Sequence, residues 1–311
     1  MEKAMINFSV ILLLYNSEER ALINTLDSII YQKNIEFEII LADDCSENGC
    51  IDAAASYLDK KGFSGYKLST HAKNVGTTQN IYDALSYAEG SHVKCIGAGD
   101  LLYSETTLSE IYDFMTAHNS IMCFGKIQAF YYDDNKLNLI PYYLPSDIKA
   151  FEKENYKSMQ KDIIQNHGWI VGASMFYNTE AFRKYLKGIL KSVKYCEDLL
   201  QVTLLLNNEK ISYYPHGAIY YEVGSGISTG ENKSNTRLQN DHSGYWKSIY
   251  KKYPDNKLVK KGYRMQKLQC IEEPLRRKAS IILHNPSYVI MMIKTIFQKK
   301  SYEIKEKGLL S

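Results

Sequence analysis

Three short stretches place carboxylates where chemistry could be done. Asp43-Asp44 ends the apolar run Phe37–Ala42 and is followed by Cys45-Ser46-Glu47-Asn48-Gly49. Asp100 closes Gly97-Ala98-Gly99-Asp100 behind the run His92–Ile96. Glu197-Asp198 follows Cys196 and opens an amphipathic stretch to Asn207. An ionised carboxylate only accepts hydrogen bonds, so it suits N–H groups of a ligand. It also offers hard oxygen to Mg²⁺-like cations, and it can take a proton from a reacting hydroxyl. The same residues also suit turns and the positive end of a helix dipole.

The elements around them decide where they stand. An apolar run ending abruptly in acids reads as a buried parallel strand. In open α/β sheets, ligands bind outside the carboxyl ends of such strands. The expected strands are 8–14, 37–44, 66–69, 92–96 and 121–132. Between them lie helical patterns: one from Ser17 through Leu22, Leu26, Ile29 and Ile30, then 51–61, 76–89 and 107–117. Ser17 suits an N-cap, and Gly62 and Gly90 suit helix stops. This alternation with short links predicts an α/β fold, a mostly parallel sheet with helices on both faces. Beyond residue 133 the pattern changes. A helix is expected within 149–165, a strand over 169–177 interrupted at Gly172-Ala173-Ser174, a helix over 197–207, and strands 211–214 and 218–223. A Gly/Ser/Thr stretch, 224–230, reads as a loop, and the chain from about 236 reads as helical and basic.

Composition sets bounds. The 311 residues are 45% hydrophobic, enough for a substantial core, with a net charge of only +3. That charge is unevenly spread: residues 241–311 hold 16 Lys/Arg against 6 Asp/Glu, so the remainder is acidic. A basic end suggests an anionic membrane surface, a nucleic acid or a solvated helix face. No nucleic-acid recognition motif accompanies it. The six cysteines show no C-x-x-C spacing and lie mostly in apolar runs, which fits a reducing, cytoplasmic setting. Lys3 with the apolar run 6–15 mimics a short signal peptide. Asn16-Ser17-Glu18-Glu19-Arg20 follows at once, so the run is expected to be a first strand. No run reaches 18 apolar residues.

Five stations then agree in order and spacing with one family: Ser9-Val10-Ile11 through Tyr15-Asn16, Asp43-Asp44-Cys45-Ser46, Asn74-Val75-Gly76, Gly97–Asp100, and Glu197-Asp198. Over residues 7–228 the chain resembles the family 2 glycosyltransferases of GT-A (Rossmann-like) fold. It looks most like bacterial members that build capsule and other surface polysaccharides. The resemblance implies a GT-A catalytic domain over 1–235 and a basic helical extension over 236–311. By it, Asp44 holds the base of a nucleotide diphosphate sugar, a UDP-sugar being favoured, and Leu13, Tyr15 and Asn16 line the same pocket. Asn74 and Gln79 match the segment closing over the nucleotide, although the family often has a basic residue where Gln79 stands. Asp100 matches a ligand of Mn²⁺ or Mg²⁺. The cluster is depleted: Gly97 and Gly99 occupy positions where the family usually has acids, and Gly99 leaves room for backbone or water to approach the ligand.

By the same resemblance Asp198 is the catalytic base, with Glu197 beside it, in an inverting transfer. Gly172, Ala173 and Ser174 match the acceptor-side strand. Trp169 nearby could stack on a sugar face or belong to the core, and His216 could add a metal ligand or be an ordinary histidine. The expected acceptor is a saccharide, lipid-linked, with the enzyme cytoplasmic or peripheral on the inner face of the cell membrane. Two rivals remain: an inactive nucleotide-sugar-binding or scaffold member, and a sugar-1-phosphate nucleotidyltransferase. The second wants a Gly-rich basic loop after the first strand, and Leu13-Leu14-Tyr15-Asn16 offers none.

Overall fold

In the computed structural model, residues 5–134, 136–224 and 236–310 are described. Strands β1 (Phe8–Leu14), β2 (Phe37–Asp43), β3 (Tyr66–Thr70) and β4 (His92–Gly97) alternate with helices α1 (Glu19–Ile30), α2 (Cys50–Lys60) and α3 (Thr77–Ala84). After β5 (Leu101–Leu102) come α4 (Thr107–His118), β6 (Met122–Asp133) and β7 (Lys136–Ile140). The expected helix within 149–165 is divided: α5 (Ile148–Glu152), α6 (Tyr156–Gln160) and one π-helical turn, Lys161–Gln165. A 3₁₀ turn at Gly172–Ser174 leads into β8 (Met175–Asn178) and α7 (Thr179–Lys187). A second 3₁₀ turn, Glu197–Leu199, leads into α8 (Leu200–Leu206) and β9 (Ile211–Glu222). The chain then runs through α9 (Thr236–Lys252), α10 (Lys257–Gln269), α11 (Pro274–His284) and α12 (Pro286–Phe297).

The sheet order is β3-β2-β1-β4-β8-β6-β9-β5, and β7 pairs with the later part of β6, off this path. β3, β2, β1 and β4 are parallel. β8 then inserts antiparallel between β4 and β6. The two expected strands at 211–214 and 218–223 are one bent strand, β9, parallel to β6, with register shifts opposite residues 124–127. Pro215, which has no N–H for the ladder, lies within that bend.

Side chains alternate across β1 and so build two cores. Phe8, Val10, Leu12 and Leu14 pack with Leu22, Leu26 and Ile29 of α1 and with Leu58 of α2. Ile11 faces the other way, into a larger core with Ile81 of α3, Phe182 of α7 and Leu204 of α8. That second core also contains Tyr245, Trp246 and Ile249 of α9 and Val259 of α10. The basic extension is therefore anchored by apolar packing in the catalytic body. Among the described residues no helix is long and apolar enough to cross a membrane.

Candidate active site

Register brings the first two acidic stations to one sheet edge. Leu13 of β1 lies between Ala42 of β2 and Gly97 of β4. The ends of β2 and β4 are thus about 10 Å apart, two strand spacings. Asp43 and Asp44 are both buried. Asp43 turns inward to its own loop, accepting hydrogen bonds from the Ser46 N–H at 3.0 Å and the Ser46 hydroxyl. Asp44 spans to the next loop: Oδ1 accepts the Val75 N–H at 2.6 Å and Oδ2 the Gly76 N–H at 2.9 Å. Tyr15 is 54% exposed, with its ring open to a ligand. Asn16 takes a positive φ of 50° and accepts the Glu47 N–H at 2.8 Å, which ties the β1 and β2 loops together. Leu13 is half-buried. Asn74 reaches the Asp44 carbonyl at 3.5 Å, and Gln79 donates to Asp83 within its own helix at 2.9 Å.

The end of β4 is shaped by its two glycines differently. Gly99 has φ +109° and its N–H donates to Thr25 Oγ1 at 2.9 Å, so that N–H is not offered to a ligand. Thr25 in turn donates to the Asp100 carbonyl at 2.8 Å. Gly97 has no such constraint: a Cβ there would meet nothing within 4 Å. Asp100 is half-buried, and its Oδ1 accepts the Glu222 N–H at 3.1 Å. Burial, with the Glu222 carboxylate adding to it, pushes Asp100 up to about 7 against the pull of Glu222 N–H and Lys94. Among the described residues no group of three or more His, Cys, Asp or Glu is placed to hold a metal. Asp100, with the Glu222 charge beside it, fits a hard cation whose other ligands are phosphate oxygens and water, as Mg²⁺ often takes. His216 does not join it. It lies six residues along β9 from Glu222, roughly 20 Å at strand rise, and pairs with Glu306 at 3.4 Å.

The expected catalytic pair is packed against the expected acceptor-side turn: a Cβ on Gly172 would stand 3.0 Å from Glu197 Oε1 and 3.3 Å from Asp198 Cβ. Burial raises Asp198 to about 6, and Asp241 adds to it, while two backbone N–H groups oppose. Burial raises Glu197 further, to about 8, with the Asp198 charge as the next cause. Burial and the proximity of the two acids hold the pair as a whole above the ordinary carboxylate range. Ala173 and Ser174 complete the turn, the Ser174 hydroxyl being buried on the Val171 carbonyl at 2.9 Å. Trp169 is half-buried, with His167 at 4.8 Å and His242 at 5.6 Å between ring centroids. Of the expected Gly/Ser/Thr loop, residues 225–230 lie outside the described residues.

Sequence reasoning missed the residues that hold these acids in place. Lys94 is fully buried in β4 and donates to the carbonyls of Ala173 and of Met175, the latter at 3.3 Å. Burial pulls it down to about 8, while Cys95, Asp100 and Glu197 draw it up. Its one signal was a lysine inside the apolar run His92–Ile96. Asp241 of α9 accepts the N–H groups of Lys194, Tyr195 and Cys196, aiming the loop that carries Glu197 and Asp198. Gln201 bridges the Ile170 backbone and the Asp198 carbonyl at 2.8–3.0 Å. Neither residue carried a local signal.

The profile of glycosyl transferase family 2 matches residues 9–186. The poly(ribitol-phosphate) beta-N-acetylglucosaminyltransferase TarS of Staphylococcus aureus is 33% identical over 127 residues, 40% of this chain and 22% of TarS. The chain thus matches about a fifth of that relative's length. S. aureus TarS 1–349 in complex with UDP-GlcNAc superposes with a TM-score of 0.59 at 19% identity, covering 94% of this chain and 81% of that one. The mannosyltransferase PcManGT of Pyrobaculum calidifontis, in complex with GDP-Man and Mn²⁺, gives 0.55 at 12%, covering 94% and 87%. These structures share the fold, and the profile spans more than half of the sequence: the chain belongs to glycosyl transferase family 2.

Proposed function

We propose that the protein is an inverting glycosyltransferase. It moves a sugar from a UDP-sugar to a hydroxyl of a lipid-linked saccharide, in synthesis of a capsule-type surface polysaccharide. The observation that carries this is the packing of Gly172 on Glu197-Asp198, with Lys94 of β4 interacting with both Glu197 and Asp100. Asp198, ionised above about pH 6, takes the proton of the acceptor hydroxyl. That oxygen attacks the anomeric carbon in one displacement, and the nucleotide diphosphate leaves. Glu197, held above the ordinary carboxylate range by burial and by the neighbouring Asp198 charge, supports that base from the same turn. Asp44 and the Tyr15 ring receive the base. When bound at Asp100, Mn²⁺ or Mg²⁺ supplies positive charge against the diphosphate. The basic extension holds this cytoplasmic enzyme at the inner membrane face, where a lipid-linked acceptor lies.

UDP and UDP-GlcNAc in the TarS structures, and GDP-Man with Mn²⁺ in PcManGT, support this donor class on this fold. A thermal-shift panel of nucleotide diphosphate sugars with Mn²⁺ tests it. The matching donor at 100 times its Kd adds about 2.7 kcal/mol of stability. No shift with any UDP-sugar would reject the donor assignment. One observation favours a second reading, a binding protein without turnover: glycines stand where acids belong at Gly97 and Gly99. Donor hydrolysis with and without Mn²⁺ separates the two.

A further inference from the structure

The last two helices turn apolar side chains outward. On α11, Leu275, Ile282 and Leu283 lie on one face, and Leu283 is 75% exposed. At about 100° per residue, Arg276 and Lys278 flank that face on either side. On α12, Ile290, Ile293, Ile296 and Phe297 form a second stripe, with Phe297 81% exposed. Different residues, Ile281 and Met291, hold the helices to the body and are buried. The outward stripes are thus additional apolar faces.

Two clefts border α12. At its first turn, a cleft of about 260 Å³ is lined by Lys161, Lys261, Arg264 and His284, and no carboxylate lines it. Along its later turns, a mainly apolar cleft of about 400 Å³ is walled by Ile290, Ile293 and Phe297, with Lys149 at its rim and Lys294 paired there to Asp147 at 2.8 Å. Cationic and apolar clefts on one helix match an amphiphile with an anionic head.

We infer that the α11–α12 face docks on an anionic lipid bilayer, its stripes entering the headgroup–acyl boundary and the Lys161–Lys261–Arg264 cleft taking a lipid phosphate. This rests on the membrane-side acceptor of the proposed function and supplies the surface that reaches it. A second copy fits less well. Pairing of the same face would bring cations against cations. Among the described residues, half of the exposed large apolar side chains elsewhere are tyrosines. A free anion would satisfy the cleft and leave the stripes in water.

Flotation of the full chain with vesicles of phosphatidylcholine, alone and mixed with phosphatidylglycerol, tests the inference. The protein should float with the mixed vesicles at low salt and less at high salt. Phe297→Ser with Leu283→Ser should abolish flotation. Arg264→Gln should lower partition about fivefold, the worth of one basic side chain near an anionic surface. Equal flotation with neutral vesicles, or none with mixed ones, would overturn it. So would a solution dimer that the double serine variant breaks, which would seat a second copy on this face. Donor thermal shifts on the same samples keep the two readings apart. Lost flotation with donor binding intact removes the docking alone, whereas flotation without donor binding removes the donor assignment.

Discussion

Gly172 stands so close to Glu197 that an added Cβ would lie 3.0 Å from its carboxylate oxygen. The turn that should meet the acceptor and the residues that should activate it are one packed unit. Gly172→Val should therefore push the turn off the acid pair. Since misplacement of about 1 Å can cost 10²-fold in rate, transfer should fall by about that factor. Donor affinity, measured by calorimetry, should hold. A variant with full transfer would separate the turn from catalysis.

The two acids give a pH signature. Their folded values, about 6 for Asp198 and about 8 for Glu197, lie above the ordinary 3.8 and 4.5. A raised carboxylate favours the fold when protonated. Its contribution is full below about pH 4 and fades as pH climbs through 6 and then 8. Melting temperature should fall across that window, and Glu197→Gln should flatten the upper part of the fall. Transfer should rise with pH along a limb near 6, as Asp198 ionises. Asp241→Asn should move that limb downward, because the Asp241 charge raises Asp198.

Gly97 and Gly99 should respond oppositely to the same change. Gly97→Asp meets open space and restores an acid at the strand end. It should leave melting unchanged and tighten Mn²⁺-dependent nucleotide binding. Gly99→Asp forces a side chain onto φ +109°, at a cost of about 1–3 kcal/mol, readable in urea unfolding.

Asp44→Ala should damage two properties together. Its oxygens accept the Val75 and Gly76 N–H groups, so stability should drop by about 1.5–3 kcal/mol for each charge-assisted bond lost. Nucleotide affinity should weaken as well. Unchanged nucleotide affinity in a folded variant would remove Asp44 from the base pocket.

The strand ends were legible because their signal is local: an apolar run, then acids. Asp44 and Asp100 could be singled out for that reason, and Asp198 by its place at the start of an amphipathic stretch. The insertion of β8 between β4 and β6, and the fusion of two expected strands into β9, depend on pairing between distant segments. Lys94 stands inside a buried strand, and its partners, the Ala173 and Met175 carbonyls, come from a distant segment. Asp241 sits in a polar helix whose clamp on residues 194–196 exists only after α9 has packed. The separation of a catalytic domain from an extension was read from charge, whereas the packing of Tyr245 and Trp246 is set by the shared core.

The most direct test of the central claim is the transfer rate of Asp198→Asn, which keeps the shape of the side chain and removes the base. The rate should fall by about 10²–10⁴, the usual worth of general base catalysis, with donor affinity near that of the unaltered protein. Transfer at the unaltered rate would contradict the assignment of Asp198 as the base.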